Sequence, residues 1–327
     1  MNFNHYFFLA LLYVPFFGFS QNTSIISETQ ESVSFASISF GNGNGIFADD
    51  EGKFYFTKKL YSDIDTLYIS ALGYKDLKIT TKNLPNTLVL ESRIDKLQEV
   101  IVKNKPSGPF KIEEIKPTTH DDYYQCWLPT IESEIAVFFP NETQQTKRLT
   151  TLYLPIKVEA KSWRKRKRAN AEKRSFSTLF RVQFYENNDG LPGDVLTYDK
   201  VVFIATEDYE KIYELDIKKY DIFVPKSGVF VSIQVLGYTD DKGKLLPHKK
   251  YQEVKTTRGT VKVSTTFRPL LPFTNAISTK QTYVKRVFLN GGKWVLYAKE
   301  NIKNSNLLSS GLNNYGMGLE MEVYSKN

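Results

Sequence analysis

Val33-Ser34-Phe35-Ala36-Ser37-Ile38-Ser39-Phe40 alternates apolar and small polar residues, and Gly41-Asn42-Gly43-Asn44-Gly45 follows at once. Strict alternation puts every second side chain on one face of an extended chain, so residues 33–40 predict a strand with one buried face. Gly and Asn tolerate positive φ, so residues 41–45 predict a reversal into a hairpin. The same pattern repeats outward. Ile46-Phe47-Ala48 runs into Asp49-Asp50-Glu51-Gly52, a tight turn, and then into Lys53-Phe54-Tyr55-Phe56. Asp65–Ser70, Lys75–Ile79, Asn86–Leu90 and Glu99–Val102 are further short apolar runs. About seven short strands with turn residues every eight to twelve positions predict a small β-sandwich.

Composition agrees. Of 327 residues, 41% are hydrophobic and 24% charged, ordinary values for a chain that buries a core; 23 Phe and 20 Tyr favour pleated surfaces. Residues 1–20, MNFNHYFFLALLYVPFFGFS, carry no Lys, Arg, Asp or Glu and end in small residues before polar Gln21-Asn22-Thr23. This predicts a signal peptide cleaved after Ser20, although no basic residue follows Met1. No Cys follows the cut, which argues against a lipoprotein anchor, and no later stretch predicts a membrane span. The single cysteine, Cys126, rules out an intramolecular disulfide and, beside Trp127, reads as a small buried residue. The formal charge of +8 survives signal removal and suggests anionic neighbours.

Ala36-Ser37-Ile38, Ala48–Phe54, Leu67–Lys75 with Gly73 in its loop, and the late Leu97-Gln98-Glu99-Val100-Ile101-Val102 together resemble the carboxypeptidase-regulatory-like domain. The resemblance spans residues 25–102, about a quarter of the chain. It implies a transthyretin-like Greek-key sandwich over 21–102, with Gly73 placed where a bulky residue would clash. It also implies an envelope setting and no activity, since such modules are accessory and hold no catalytic residues. The module often precedes a receptor plug and barrel, but only about two hundred residues follow it here.

Residues 103–119, KNKPSGPFKIEEIKPTT, are rich in Lys and Pro and read as a semi-extended linker. Residues 120–327 then predict a second, larger, jelly-roll-like β-sandwich. Its expected strands are Ser133–Phe139, Thr151–Val158, Phe180–Tyr185, Val201–Ile204, Asp221–Pro225, Val229–Val235, Tyr283–Phe288, Lys293–Tyr297 and Gly318–Tyr324. Arg181-Val182-Gln183-Phe184-Tyr185 with Gly190-Leu191-Pro192-Gly193 is similar to envelope sandwich domains of unassigned activity that accompany the first module.

Catalytic patterns are missing from the sequence. After signal removal the histidines are His120 and His248, and neither sits in a zinc-ligand spacing. No nucleophile elbow or phosphate loop appears. A Cys126–His120 dyad is the one arrangement available, and six residues of separation beside a linker favour accident. Asp49-Asp50-Glu51 and Asp240-Asp241 precede Gly and read as turns; neither they nor Asp121-Asp122 show the alternating oxygen spacing of a calcium loop. No cofactor or metal is expected.

Two surface features are candidate binding sites. The first is the run Lys161, Trp163, Arg164, Lys165, Arg166, Lys167 and Arg168, expected on a long hairpin loop at one end of the second sandwich. It reads as an anionic docking site, for lipid or polysaccharide, or else as a solvated loop. The second is Tyr123, Tyr124 and Trp127, a glycan platform or else rings packed at a domain edge. The whole predicts an exported, non-enzymatic protein of the periplasm, outer-membrane periphery or cell surface. Protein-binding scaffold or accessory module is its expected role, with carbohydrate binding as the alternative and nucleic acid excluded as a partner.

Overall fold

The structure, a computed structural model, describes residues 22–41, 43–93, 106, 108–165, 170–209, 211–247, 251–257, 259–289 and 292–325. The expected signal peptide, the Glu99–Val102 strand and His248 fall outside them. The fold is all-β.

The first module holds seven strands: β1 (Asn22–Ser27), β2 (Ser37–Ser39), β3 (Gly45–Phe47), β4 (Lys53–Tyr55), β5 (Thr66–Ser70), β6 (Leu77–Thr80) and β7 (Thr87–Leu90). They form two sheets, ordered β4-β1-β7 and β3-β2-β5-β6, with β1 and β7 parallel and the other pairs antiparallel. Ile25, Ile38, Leu67 and Ile69 are fully buried between them. The hairpin at 41–45 forms as expected: Gly41 and Gly43 both have φ of 78°, and Asn44 N–H donates to Gly41 C=O. The acidic turn is closed by its own first residue, because Asp49 Oδ1 accepts from the N–H groups of Glu51 and Lys53.

Three expectations change here. The strand expected over 33–40 is only Ser37–Ser39, because Phe35 sits at φ 54°, a conformation that ends regular pairing. Gly73 is needed for its φ of 82° rather than for space, since an added Cβ would meet nothing closer than 3.7 Å. Residues 103–119 are not simply a linker. Pro109 and Pro117 flank a seven-residue stretch without proline, and six of its residues form β8 (Phe110–Ile115) in the second module.

The second module continues with β9 (Cys126–Trp127), β10 (Ser133–Phe139), β11 (Lys147–Pro155), β12 (Ser177–Asn188), β13 (Leu191–Val195), β14 (Val201–Thr206), β15 (Ile212–Asp216) and β16 (Val229–Tyr238). The strands β17 (Tyr251–Thr256), β18 (Gly259–Ser264), β19 (Leu271–Thr274), β20 (Thr282–Arg286), β21 (Val295–Leu296), β22 (Asn314–Tyr315) and β23 (Gly318–Tyr324) complete it. A seven-stranded sheet, β13-β12-β16-β10-β20-β21 with β14 also on β12, shares one core with a four-stranded sheet, β15-β11-β23-β8. Val229, Val231, Phe180, Phe184, Leu152 and Leu319 from the two sheets are fully buried in it. The strand expected at 221–225 is a single bridge, Arg148 to Phe223, because Asp221 is left-handed at φ 50° and Pro225 offers no donor.

The modules are docked on each other. Phe35 and Phe47 of the first belong to the core of the second, with Phe47 5.2 Å from Phe288. Ser39 Oγ donates to the Phe288 carbonyl at 2.7 Å, and Lys200 Nζ to Ser34 Oγ at 2.7 Å. Asp240 Oδ1 closes the second acidic turn through the N–H groups of Lys242 and Lys244. Lys244 Nζ then reaches Asp49 Oδ2 at 3.5 Å, so the two Asp-Asp-x-Gly-Lys turns meet across the seam.

Candidate functional site

Period-2 alternation builds the floor of the site. On β10, β12 and β16 one set of residues enters the core: Ile135, Val137 and Phe139; Phe180, Val182 and Phe184; Val229, Val231, Ile233 and Val235. The alternate residues point to the outer face of the seven-stranded sheet. On an uncovered sheet that face would be wet, but here the first module lies over it. The register places Lys285 opposite Glu134, Glu134 opposite Gln234 and Gln234 opposite Arg181, a row across β20, β10, β16 and β12.

Glu134 is the centre of this row and is 2% exposed. Its Oε1 accepts from Tyr185 Oη at 2.7 Å and from Ser232 Oγ at 2.6 Å, and Lys285 Nζ lies 3.4 Å from Oε2. Burial on its own raises the carboxyl pKa. The charges of Lys285 and Arg181, with the two hydroxyl donors, outweigh burial and hold it below the ordinary glutamate value. The same burial, reinforced by the Glu134 charge, pushes Tyr185 well above the usual phenol range, so its hydroxyl stays a donor. Arg181 donates through Nη2 to Gln234 Oε1 at 2.5 Å, and its guanidinium lies over the Phe47 ring at 5.5 Å. No group among the described residues accepts from Arg181 Nε or Gln234 Nε2, although both atoms are buried. Trp294 is half-buried on this outer face, against Tyr185 and beneath Lys285.

Above this floor lies a cleft of about 1330 Å³ walled by both modules. The first contributes Tyr68, Tyr74, Asp76 and Lys78 from β5, β6 and their connection; the second adds Tyr198 and Asp194 beside the floor. The walls mix ring faces with charges of both signs, a lining suited to a polar ligand.

The residues singled out by sequence lie elsewhere. The chain on either side of the basic run is paired, with Ala160 bridged to Lys173 and Arg174 N–H donating to the Glu159 carbonyl. Lys161 pairs with Glu172 at 2.8 Å; Arg164 and Lys165 are exposed on a short 3-10 turn that begins at Trp163. Arg166, Lys167 and Arg168 lie outside the described residues, and nothing is described of the Trp163 side chain. The aromatic platform is not assembled. Trp127 stacks on Phe273 at 5.6 Å and meets Tyr297 edge-on at 5.3 Å, which commits it to the core. Tyr123 is half-buried with its hydroxyl donating to the Val158 carbonyl, leaving Tyr124 as the exposed ring of the three.

Cys126 and His120 are both held structurally. Asp122 N–H donates to His120 Nδ1, so Nε2 carries the proton and donates to the Phe273 carbonyl at 2.8 Å. Burial pushes the Cys126 thiol up to about 12. Iodoacetamide at pH 8 is therefore expected to leave Cys126 unmodified in the folded protein and to alkylate it fully in denaturant, read by intact mass. Rapid labelling of the folded chain would contradict the buried placement.

No family model matches the chain, and no curated protein matches it. Among solved structures it is similar to the cysteine protease and lectin-like domains of a surface layer associated protein of Clostridium difficile, at 11% identity and a TM-score of 0.31. That match covers 89% of this chain and spans 59% of the other. Overlap of that degree carries no inference about activity.

Proposed function

We propose that the chain is an exported, non-enzymatic binding protein of a Gram-negative cell envelope, a scaffold or accessory module that seats its partner in the cleft between its two modules. The first module is read as a carboxypeptidase-regulatory-like domain. The observation that carries the binding role is the covered row Lys285–Glu134–Gln234–Arg181. Natural sheets seldom bury a carboxylate on a face that solvent could have taken, and Glu134, held by the half-buried Lys285 and Arg181, lies beneath a cleft with two buried donors unmatched. The backbone-held ring of His120 and the protonated thiol of Cys126 support a non-enzymatic reading.

A protein segment is the first reading of the partner. Oligosaccharide is the second, favoured by Tyr68, Tyr74 and Tyr198 in the cleft lining, since tyrosine rings suit sugar C–H surfaces. Capture of envelope material on the immobilised protein at low and high salt, reading proteins and sugars together, tests both. A specific protein retained in both salts by the native chain and lost by Tyr198→Ala supports the first reading. Polysaccharide retained without protein, and lost by the same variant, supports the second. Retention unchanged by Tyr198→Ala and Asp194→Ala, both on the solvent-open rim, removes the cleft from the account.

A further inference from the structure

We propose that the chain pairs with a second copy of itself, edge to edge through β8, in antiparallel register centred on Ile112. Among the described residues β8 has one strand neighbour, β23, and Phe110 to Glu114 are all exposed. Phe110 is 47% exposed and Ile112 55%. The ladder fixes which backbone groups are free. Ser325 N–H donates to the Pro109 carbonyl, so alternation turns the odd-numbered residues of β8 towards β23. The N–H and C=O groups of Phe110, Ile112 and Glu114 then face outward, and the missing donor of Pro109 falls on the inner side. An outward edge with all its donors present is a template for another strand.

Symmetry and charge select both partner and register. A two-fold axis perpendicular to the sheet keeps each residue on its own face, so the register must be centred on a residue. Centring on Lys111, Glu113 or Glu114 would set like charges directly opposite each other. Centring on Ile112 pairs Ile112 with its own copy and sets Lys111 opposite Glu113 twice. It also pairs the outward groups of Phe110 with those of Glu114, all inside the strand. Glu113 has room for the incoming lysine: it meets Lys147 Nζ at 3.0 Å, yet its side chain remains 46% exposed. The result is one continuous eight-stranded sheet made of two four-stranded ones.

Sedimentation equilibrium of the purified chain across the micromolar range tests this, with the I112K and I112E variants measured alone and mixed. Ile112 is solvent-facing, so both variants keep the native melting transition. The native chain is expected to double in mass with concentration. Each variant alone, with like charges opposed on the axis, is expected to associate at least about tenfold more weakly. An equal mixture of the two is expected to regain the dimer, since opposite charges then meet. A native chain that stays monomeric, a variant that dimerises as well as the native chain, or a mixture that stays monomeric would each overturn the proposal.

Discussion

Glu134→Ala is expected to destabilise the second module by about 3–5 kcal/mol, the cost of breaking a buried ion pair from one side. The alanine leaves Lys285 and Arg181 without the negative charge they share, and takes the acceptor from Tyr185 and Ser232. Glu134→Gln isolates the charge, because its amide oxygen still accepts from both hydroxyls, and a smaller loss is expected. The pH dependence has a definite sign. A carboxyl whose folded pKa is depressed adds stability that is fully present above the unfolded value, about 4.3. That stability is lost as the pH falls through the lower folded value. Urea unfolding between pH 3 and 7 should therefore show the native chain losing its advantage over Glu134→Gln in the acidic part of the range. A constant difference between the two at every pH would mean that Glu134 gains nothing from its cationic neighbours.

The same row shows where reading the sequence succeeds and where it stops. Ser133–Phe139 is a strand with the bounds expected from the sequence, and Gly41–Gly45 and Asp49–Lys53 form their turns because Gly and Asp carry the needed geometry locally. Glu134, Gln183 and Gln234 stand out in the sequence as polar residues within apolar strands. Taken alone, that pattern describes an ordinary wet outer face. Only the docking of the first module turns that face into the floor of a cleft, and docking depends on contacts such as Ser39 with Phe288, 249 positions apart. The conspicuous aromatic cluster misled in the opposite direction. A basic run and a pair of adjacent tyrosines are visible because they are local, while Trp127 is drawn inward by Phe273 and Tyr297 from distant strands. Phe35 is the sharpest case. Its place in the alternation predicts a regular strand, yet its ring is needed in the core of the other module, and the backbone takes a left-handed φ to deliver it.

Phe288→Ala should separate the modules. Phe288 is fully buried, packs on Phe47 at 5.2 Å and offers its carbonyl to Ser39. Gly45 leaves the gap the ring occupies: a Cβ there would lie 2.5 Å from Phe288 Cδ1 and 2.4 Å from the Ile38 carbonyl. Removing the ring leaves a cavity that neither sheet can collapse to fill, so a loss of about 3–5 kcal/mol is expected. Part of that loss is coupling between modules. In a double-mutant cycle with Phe47→Ala, the two losses should fall short of additive by about 0.5–1.5 kcal/mol, the worth of the ring pair beyond its area. Calorimetry should show the single native transition of a docked pair splitting in two as each module melts on its own core. Capture by the cleft should weaken in parallel, although Phe288 is not among the residues that line it. Two transitions with capture intact would place the ligand on one module alone. One unshifted transition would mean that the modules hold together without this seam.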